Sequence, residues 1–367
     1  MSADELLKYK IAISLIPGIG SVLAKNIISY CGGVEAVFLE KKGKLLKIPG
    51  IGEKAAESIS NFEEMQRAEE EVEFIKEHKI RPLFYTDEDY PQRLKNCNDS
   101  PVMLYYQGNC DLNQHKVIGI VGTRSCTGYG RMMTEELVAG LMPLGCLIVS
   151  GLAYGIDICA HKNALKQQLP TVGVMGHGLD RVYPGQHKST AARMVENGGL
   201  LTEFISQTIP DRENFPKRNR IVAGMCDALV VVETASAGGA MITAGLAGSY
   251  NRDVFAYPGR SFDAFSAGCN YLIKTNRAGL IENSADLIQS MGWVEHKGTR
   301  NLQPALLPEL TTTEQELIDV IGSREKISID ELCSGLNYTH GEVALLLLDM
   351  EFKGCIRSLP GKFYCLN

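Results

Sequence analysis

The chain has 367 residues, 37 Lys+Arg against 43 Asp+Glu, a formal net charge of -6 and 45% hydrophobic residues. That is enough material for two or three domains with buried cores, and it excludes a global basic field that would draw in nucleic acid, so any polyanion site must be a local patch. Eleven scattered cysteines without a C-x-x-C pair argue against a zinc or disulfide framework and for reduced thiols in a cytosol. The first residues carry acids, lack a basic segment followed by a long apolar run, and read as no signal peptide. No apolar stretch is long enough to span a bilayer, so a cytoplasmic protein without membrane association is expected.

In chain order, an internal repeat comes first. Ile16-Pro17-Gly18-Ile19-Gly20 recurs as Ile48-Pro49-Gly50-Ile51-Gly52, each followed by an Ala-containing apolar helix. The pattern resembles the helix-hairpin-helix motif, whose Gly-x-Gly turn exposes N–H groups to a phosphate. Packing of two hairpins into a small helical domain is preferred over direct DNA contact, though both readings stay open. A charged helix, Glu63 to Glu77, and a connecting segment from Asp87 to Pro101 follow.

From Lys116 to Trp293, apolar runs alternate with helical patterns. Strands are predicted at Val117–Val121, Leu147–Val149, Thr171–Val174, Gly199–Thr202, Ala228–Val232 and Val254–Ala256. Helices are predicted at Gly130–Leu144, Ile156–Gln167, His187–Asn197, Arg218–Met225 and Ala240–Ser249. Continuous apolar strands alternating with helices mean a parallel sheet covered on both faces, an α/β Rossmann-like domain. After a polar link come three helices, Thr311–Ile321, Ile329–Leu336 and Thr339–Phe352. A hairpin of Cys355–Leu359 and Lys362–Cys365 around Pro360-Gly361 completes a winged-helix-like module. Its third helix offers few cations, so packing or partner binding is preferred over reading duplex DNA. The expected division is 1–80 helical, 81–295 Rossmann-like, 296–310 linker and 311–367 winged-helix-like.

Three segments carry candidate chemistry. The first predicted strand ends in Gly122-Thr123-Arg124-Ser125, with Gly128-Tyr129-Gly130 opening the next helix and Ser125 or Thr127 available to cap it. The spacing is neither G-x-G-x-x-G nor a Walker A loop, and no acid ends the second strand, so NAD is disfavoured and no cofactor is expected. What remains is an anion site with Arg124 built in. The second loop, Ser150-Gly151-Leu152-Ala153-Tyr154, leads to Asp157 and His161 one turn apart. An acid–base pair is one reading, but a helix-capping Asp157 and a His161 packed on the sheet are preferred. His177, Asp180 and His187 lack a familiar metal-ligand spacing, and no metal is expected.

The third segment is Phe215-Pro216-Lys217-Arg218-Asn219-Arg220, where cations for phosphates adjoin an aromatic face for bases, the combination that single-strand binders need. Arg218 or Arg220 can instead bridge buried backbone carbonyls or acids, and at least one of these cations is expected to be structural. Downstream, Gly238-Gly239 opens another helix and offers a second phosphate seat or close helix–sheet packing.

The ordered series Val121–Arg124, Ser150–Asp157, Asp180–Pro184, Asn214–Gly224, Val231–Ala244, Val254–Gly259 and Ser266–Ile273 resembles the DNA-processing protein A family (DprA, also called Smf). The resemblance implies an extended Rossmann fold, with a helix-hairpin-helix (SAM-like) domain before it and a winged-helix-like domain after it. It also implies a cytoplasmic, non-enzymatic, single-stranded DNA-binding protein. Family members protect incoming strands in natural transformation, load the RecA recombinase and form homodimers. The family's DNA-binding arginine falls on Arg124, and its basic FPxRNR segment falls on Phe215 to Arg220. Two departures stand out. Tyr154 occupies a position where many members have Lys or Arg, and Ala237-Gly238-Gly239-Ala240 replaces a common Ser-Gly-Ser. The competing reading is a Rossmann-fold nucleotide hydrolase using Glu203 or Glu233. The expected DNA site comprises Gly122, Arg124, Ser125, Gly151, Tyr154, Phe215, Lys217, Arg218, Asn219, Arg220, Gly238 and Gly239.

Overall fold

Strands whose side chains are apolar on both alternating faces must be covered on both sides. The computed structural model describes residues 1–293, 310–322, 324, 326–336, 338–359 and 363–366. The first strands are β1 (Arg81–Phe84), β2 (Met103–Gly108), β3 (Val117–Val121), β4 (Leu147–Ser150) and β5 (Thr171–Val174). They are followed by β6 (Gly198–Thr202), β7 (Ala228–Val231), β8 (Asp253–Ala256) and β9 (Gly279–Leu280). Together they form one sheet in the order β1-β2-β6-β5-β4-β3-β7-β8-β9. From β6 to β9 in that order all pairs are parallel, while β1–β2 and β2–β6 are antiparallel.

Side-chain alternation assigns each face its own core. Val121, Leu147, Val149, Leu229 and Val231 pack with Ile221, Val222 and Met225 of the helix Asn214–Met225 and with Ala244 and Ala247 of Gly239–Ser249. Ile118, Ile120, Ile148 and Val230 pack on the other side with Leu137, Val138, Ala160 and Ala164 from Gly128–Leu141 and Ile156–Lys166. Each fully buried Leu, Ile or Val contributes about 1.5–3 kcal/mol relative to exposure. This doubly wound core fixes where every loop emerges.

The sequence expectation contains none of β1, β2 and β9. Pro82 argues against a strand, but β1 pairs only with β2 and an edge tolerates the missing N–H. Leu83, Leu104 and Tyr106 face the sheet core, whereas Phe84, Met103 and Tyr105 face the amino-terminal helices. Those helices include Ala3–Leu15, Ser21–Cys31, Glu53–Ser60 and Met65–Glu77. The two repeat turns place Gly18 at φ 77° and Gly50 at φ 86°, conformations that favour glycine. Glu71 of the last of these helices is buried, salt-bridged to Arg67 at 2.9 Å, and accepts from the Ser206 N–H after β6. Helices and sheet form one compact unit, Met1–Trp293.

The helix predicted from Arg218 begins at Asn214 instead, because Pro216 falls in its first turn, where a proline lacks no needed N–H.

The second unit, Val294–Asn367, has helices Thr312–Gly322, Ile329–Leu336 and His340–Phe352 and strands β10 (Ile327–Ser328), β11 (Ile356–Leu359) and β12 (Phe363–Leu366). The strands lie in the order β10-β12-β11. Leu317, Ile321, Leu332, Val343, Leu347 and Met350 form its core. A reciprocal capping box of Thr339 and Glu342 starts the third helix. This is a winged-helix fold. The 296–310 linker, apart from its last residue, and the Pro360-Gly361 turn with Lys362 lie outside the described residues.

Candidate functional site

The chain runs outward from β3 through β4, β5 and β6, then returns to place β7 on the other side of β3. The loops at the carboxyl ends of β3 and β7 therefore diverge, and a crevice opens at this switch point. A cleft of about 550 Å³ lies there, lined by the β3 loop, Arg212, Phe215, Asn219 and the Gly238–Thr243 helix start.

The β3 loop is clamped from two sides. The Thr123 N–H donates to the Glu233 carbonyl at 2.6 Å, and the Ile156 N–H donates to the Thr123 carbonyl at 3.2 Å. Gly155 has φ 77°, and a Cβ there would lie 2.1 Å from the Thr123 carbonyl oxygen. A Cβ on Gly122 would meet Ile156 at 2.4 Å, so the glycine permits this approach. Thr127 caps the following helix by accepting from Gly130, while its own N–H and hydroxyl donate to the buried Glu233 carboxylate at 2.9 and 2.6 Å. One carboxylate thus joins the β3 and β7 loops. Ser125 is exposed beside them, its N–H donating to Thr123 Oγ1 at 3.2 Å.

Arg124 leaves this rigid loop exposed, with its guanidinium over the Phe215 ring at 5.1 Å. Tyr154, 41% exposed, and Tyr183, 51% exposed, border the same neighbourhood with Arg124 and Phe215. Tyr154 rests edge-on against His187 at 5.1 Å. Gly238 is the N-cap of the Gly239–Ser249 helix and no side chain caps it, so the helix presents its positive end to the cleft.

The cationic run does not act as a block. Lys217 is exposed. Arg218 is 4% exposed, and its Nη1 donates to the Val174 carbonyl at 2.7 Å. A Cβ on Gly151 would lie 1.8 Å from that nitrogen, which is why the β4 loop carries glycine there. Burial pushes the Asp157 carboxyl up from its ordinary value and the Arg218 charge opposes this. Arg220 donates to Glu203 and to the Asp99 carbonyl. Burial also raises the Glu203 carboxyl, with Arg220 and Lys217 pulling the other way. Lys217 and Arg220 border a second cleft of about 580 Å³ that also includes the first repeat turn, Gly18–Leu23.

The structure therefore brings Gly122, Arg124, Phe215, Asn219, Gly238 and Gly239 to one cleft. Gly151 and Tyr154 flank it with Arg124 and Phe215. Lys217 and Arg220 turn toward the neighbouring cleft, and Arg218 lies in the floor of the first. Sequence reasoning missed Arg212, exposed on the rim, and Tyr183. Arg212 had a signal, a cation just before the basic run.

The acid–base reading of Asp157 and His161 does not match the geometry. Asp157 accepts from the Ala153 N–H at 3.4 Å, while His161 is fully buried and bonds Thr171 Oγ1 at 2.7 Å. Burial lowers the His161 ring to about 3, so it stays neutral near neutral pH. His177 and His187 contact the backbone carbonyls of Gly178 and Leu152, and Asp180 pairs with Arg181. Among the described residues no His, Cys, Asp or Glu group could hold a metal.

Three family models match the chain: DNA recombination-mediator protein A over residues 81–292, the DprA winged helix domain over 302–362, and a SAM-like helix-hairpin-helix tandem over 11–61. Protein Smf of Synechocystis sp. is 31% identical over 99% of each chain. DNA processing protein DprA of Streptococcus pneumoniae is 37% identical over 60% of this chain and 77% of its own. A crystal structure of the pneumococcal protein superposes with a TM-score of 0.68 at 31% identity, covering 77% of this chain and 97% of that one. A structure of DNA processing protein A from Helicobacter pylori, described for its single-stranded DNA binding mode, gives 0.54 at 30% identity, covering 59% and 96%.

Proposed function

We propose that this chain, which belongs to the DNA recombination-mediator protein A family, binds single-stranded DNA without sequence preference across its switch-point cleft. The observation that carries this reading is one arrangement: an exposed Arg124 on a clamped loop, stacked on Phe215, opposite an uncapped helix N-terminus. Phosphates bind Arg124, Arg212 and the amides at Gly238 and Gly239 in this cleft, and Lys217 takes a further phosphate on the side of the neighbouring cleft. Unstacked bases rest on Phe215, Tyr154 and Tyr183. Gly122, Ser125, Gly151 and Asn219 shape the groove, and Arg218 and Arg220 hold its floor and side.

The protein is a recombination mediator rather than an enzyme. Both carboxylates that a hydrolase would need are occupied, Glu233 by Thr127 and Glu203 by Arg220. Family membership supports protection of incoming strands in natural transformation and loading of RecA recombinase onto them, by a homodimer in the cytoplasm. Among the described residues no helix is long and apolar enough to cross a membrane.

A fluorescence titration of one oligonucleotide as a single strand and as its duplex, at matched salt, tests the reading. The single strand binds far more tightly, with a log–log salt slope of about -0.7 per phosphate neutralised. Equal affinity for both forms overturns it.

A further inference from the structure

The winged-helix unit gathers three side chains that strand binding does not use. Asp330 and Cys333 stand one turn apart on Ile329–Leu336, and His340 opens the next helix. The Cys333 sulfur lies 2.9 Å from His340 Nδ1, and His340 Nε2 lies 3.3 Å from Asp330 Oδ1. Each ring nitrogen has its own partner. The carboxylate favours the tautomer protonated on Nε2 and leaves the Nδ1 lone pair facing the thiol. Nucleophile, base and orienting acid stand in the order that activates a thiol. The sulfur also lies beside His340, the first residue of a 13-residue helix.

We propose that Cys333 is a covalent modification site that forms a mixed disulfide with low-molecular-weight disulfides. The thiol proton passes to His340 Nδ1, and the thiolate attacks one sulfur of the incoming disulfide. A new S–S bond forms as the old one breaks, and the departing thiolate takes the proton from His340. The protein thiol is oxidised and half of the small disulfide is reduced, so atoms and electrons balance. Cys333 is half-buried, like Cys355, and His340 and Asp330 beside it are 64% and 80% exposed, so reagent reaches the sulfur from their side. The sulfur itself is what changes.

Cys355 supplies the internal reference. It belongs to the same unit, is partly buried, and its thiol donates to the Lys353 carbonyl at 3.9 Å. The whole chain is treated with 2-hydroxyethyl disulfide between about pH 6 and pH 8.5, and adducts are followed by peptide mass spectrometry. Cys333 reacts at least about tenfold faster than Cys355 near pH 6.5, and His340→Gln removes that advantage. Equal rates with one shared pH profile, or an undiminished rate in His340→Gln, overturn the proposal. Modification of the buried Cys365 reports loosening of the unit. Should that occur in His340→Gln, Asp330→Asn decides, because it keeps the ring and removes only the orienting charge. An unchanged Cys333 rate in Asp330→Asn then overturns the proposal.

Discussion

At the switch point, an acidic chain concentrates exposed cations, aromatic faces and an uncapped helix end around one cleft. The winged-helix unit uses a fold that elsewhere reads duplex DNA, yet its third helix, His340–Phe352, contains no Lys or Arg. That helix exposes Leu345, Leu348 and Phe352 by 70%, 51% and 83%, and its last turn carries Asp349 and Glu351. Both regions have the backbone geometry for nucleic acid, but only the first has the side chains. Fold alone therefore assigns neither function, and the placement of charge separates them. Within the cleft a second division applies: some cations face the groove and others are part of the scaffold.

The strongest test of that division is Arg218→Ala. It strips the buried Val174 carbonyl of its donor, removes the charge that opposes the burial of the Asp157 carboxyl, and opens space beneath Gly151. A loss of about 3 kcal/mol in unfolding free energy is expected from denaturant melts. A variant of wild-type stability that has lost only DNA affinity would move Arg218 from the scaffold to the groove.

The buried imidazole beneath the site sharpens the picture through pH. His161 is lowered to about 3, below its ordinary value, so between roughly pH 6.5 and pH 3 the unfolded chain binds a proton that the folded chain refuses. Its contribution is complete above pH 6.5 and is lost as pH falls toward 3. Between pH 7 and pH 4 this amounts to something on the order of 1–3 kcal/mol. Replacing His161 with Gln should flatten the acid limb of stability against pH, and an identical limb in both proteins would refute the assignment.

Arg124→Ala should weaken single-strand binding by about tenfold, or 1.4 kcal/mol, with an unchanged melting temperature. Combining it with Lys217→Ala should lower the salt slope by about 0.7 for each lost phosphate contact. A collapse in melting temperature with binding intact would make both cations structural. The smallest expected effect is that of deleting the chain from Asn301 onward, which removes a module whose acids outnumber its cations. Single-strand affinity should stay within about threefold, under 0.7 kcal/mol. A tenfold loss would place part of the strand path on the wing.

The sheet was legible because six of its strands are continuous apolar runs, each bounded by helical patterns. β1, β2 and β9 were not, since a proline disguised one edge strand, two residues carry no pattern at the other, and short apolar runs do not declare their partners. The Arg124 loop could be read from glycines at a strand end. The inward turn of Arg218 agrees with the expectation that Arg218 or Arg220 is structural, and Arg218, Ile221, Val222 and Met225 follow the 3.6-residue spacing of one buried face. Arg220 was the other candidate, but its partners were not legible, because Glu203 and Asp99 reach it only through tertiary folding. Cys333 and His340 were equally silent, their meeting set by the turn between two helices.

The buried Glu233 carboxylate that ties the β3 loop to the β7 end has a calorimetric consequence. A groove braced in this way does not fold around its ligand, so most of the ordering on binding must occur in the strand. The heat capacity of association should therefore track the nucleic acid. Oligo(dA), which must unstack first, and oligo(dT), which stacks little, should differ in binding enthalpy and its temperature dependence far more than in affinity.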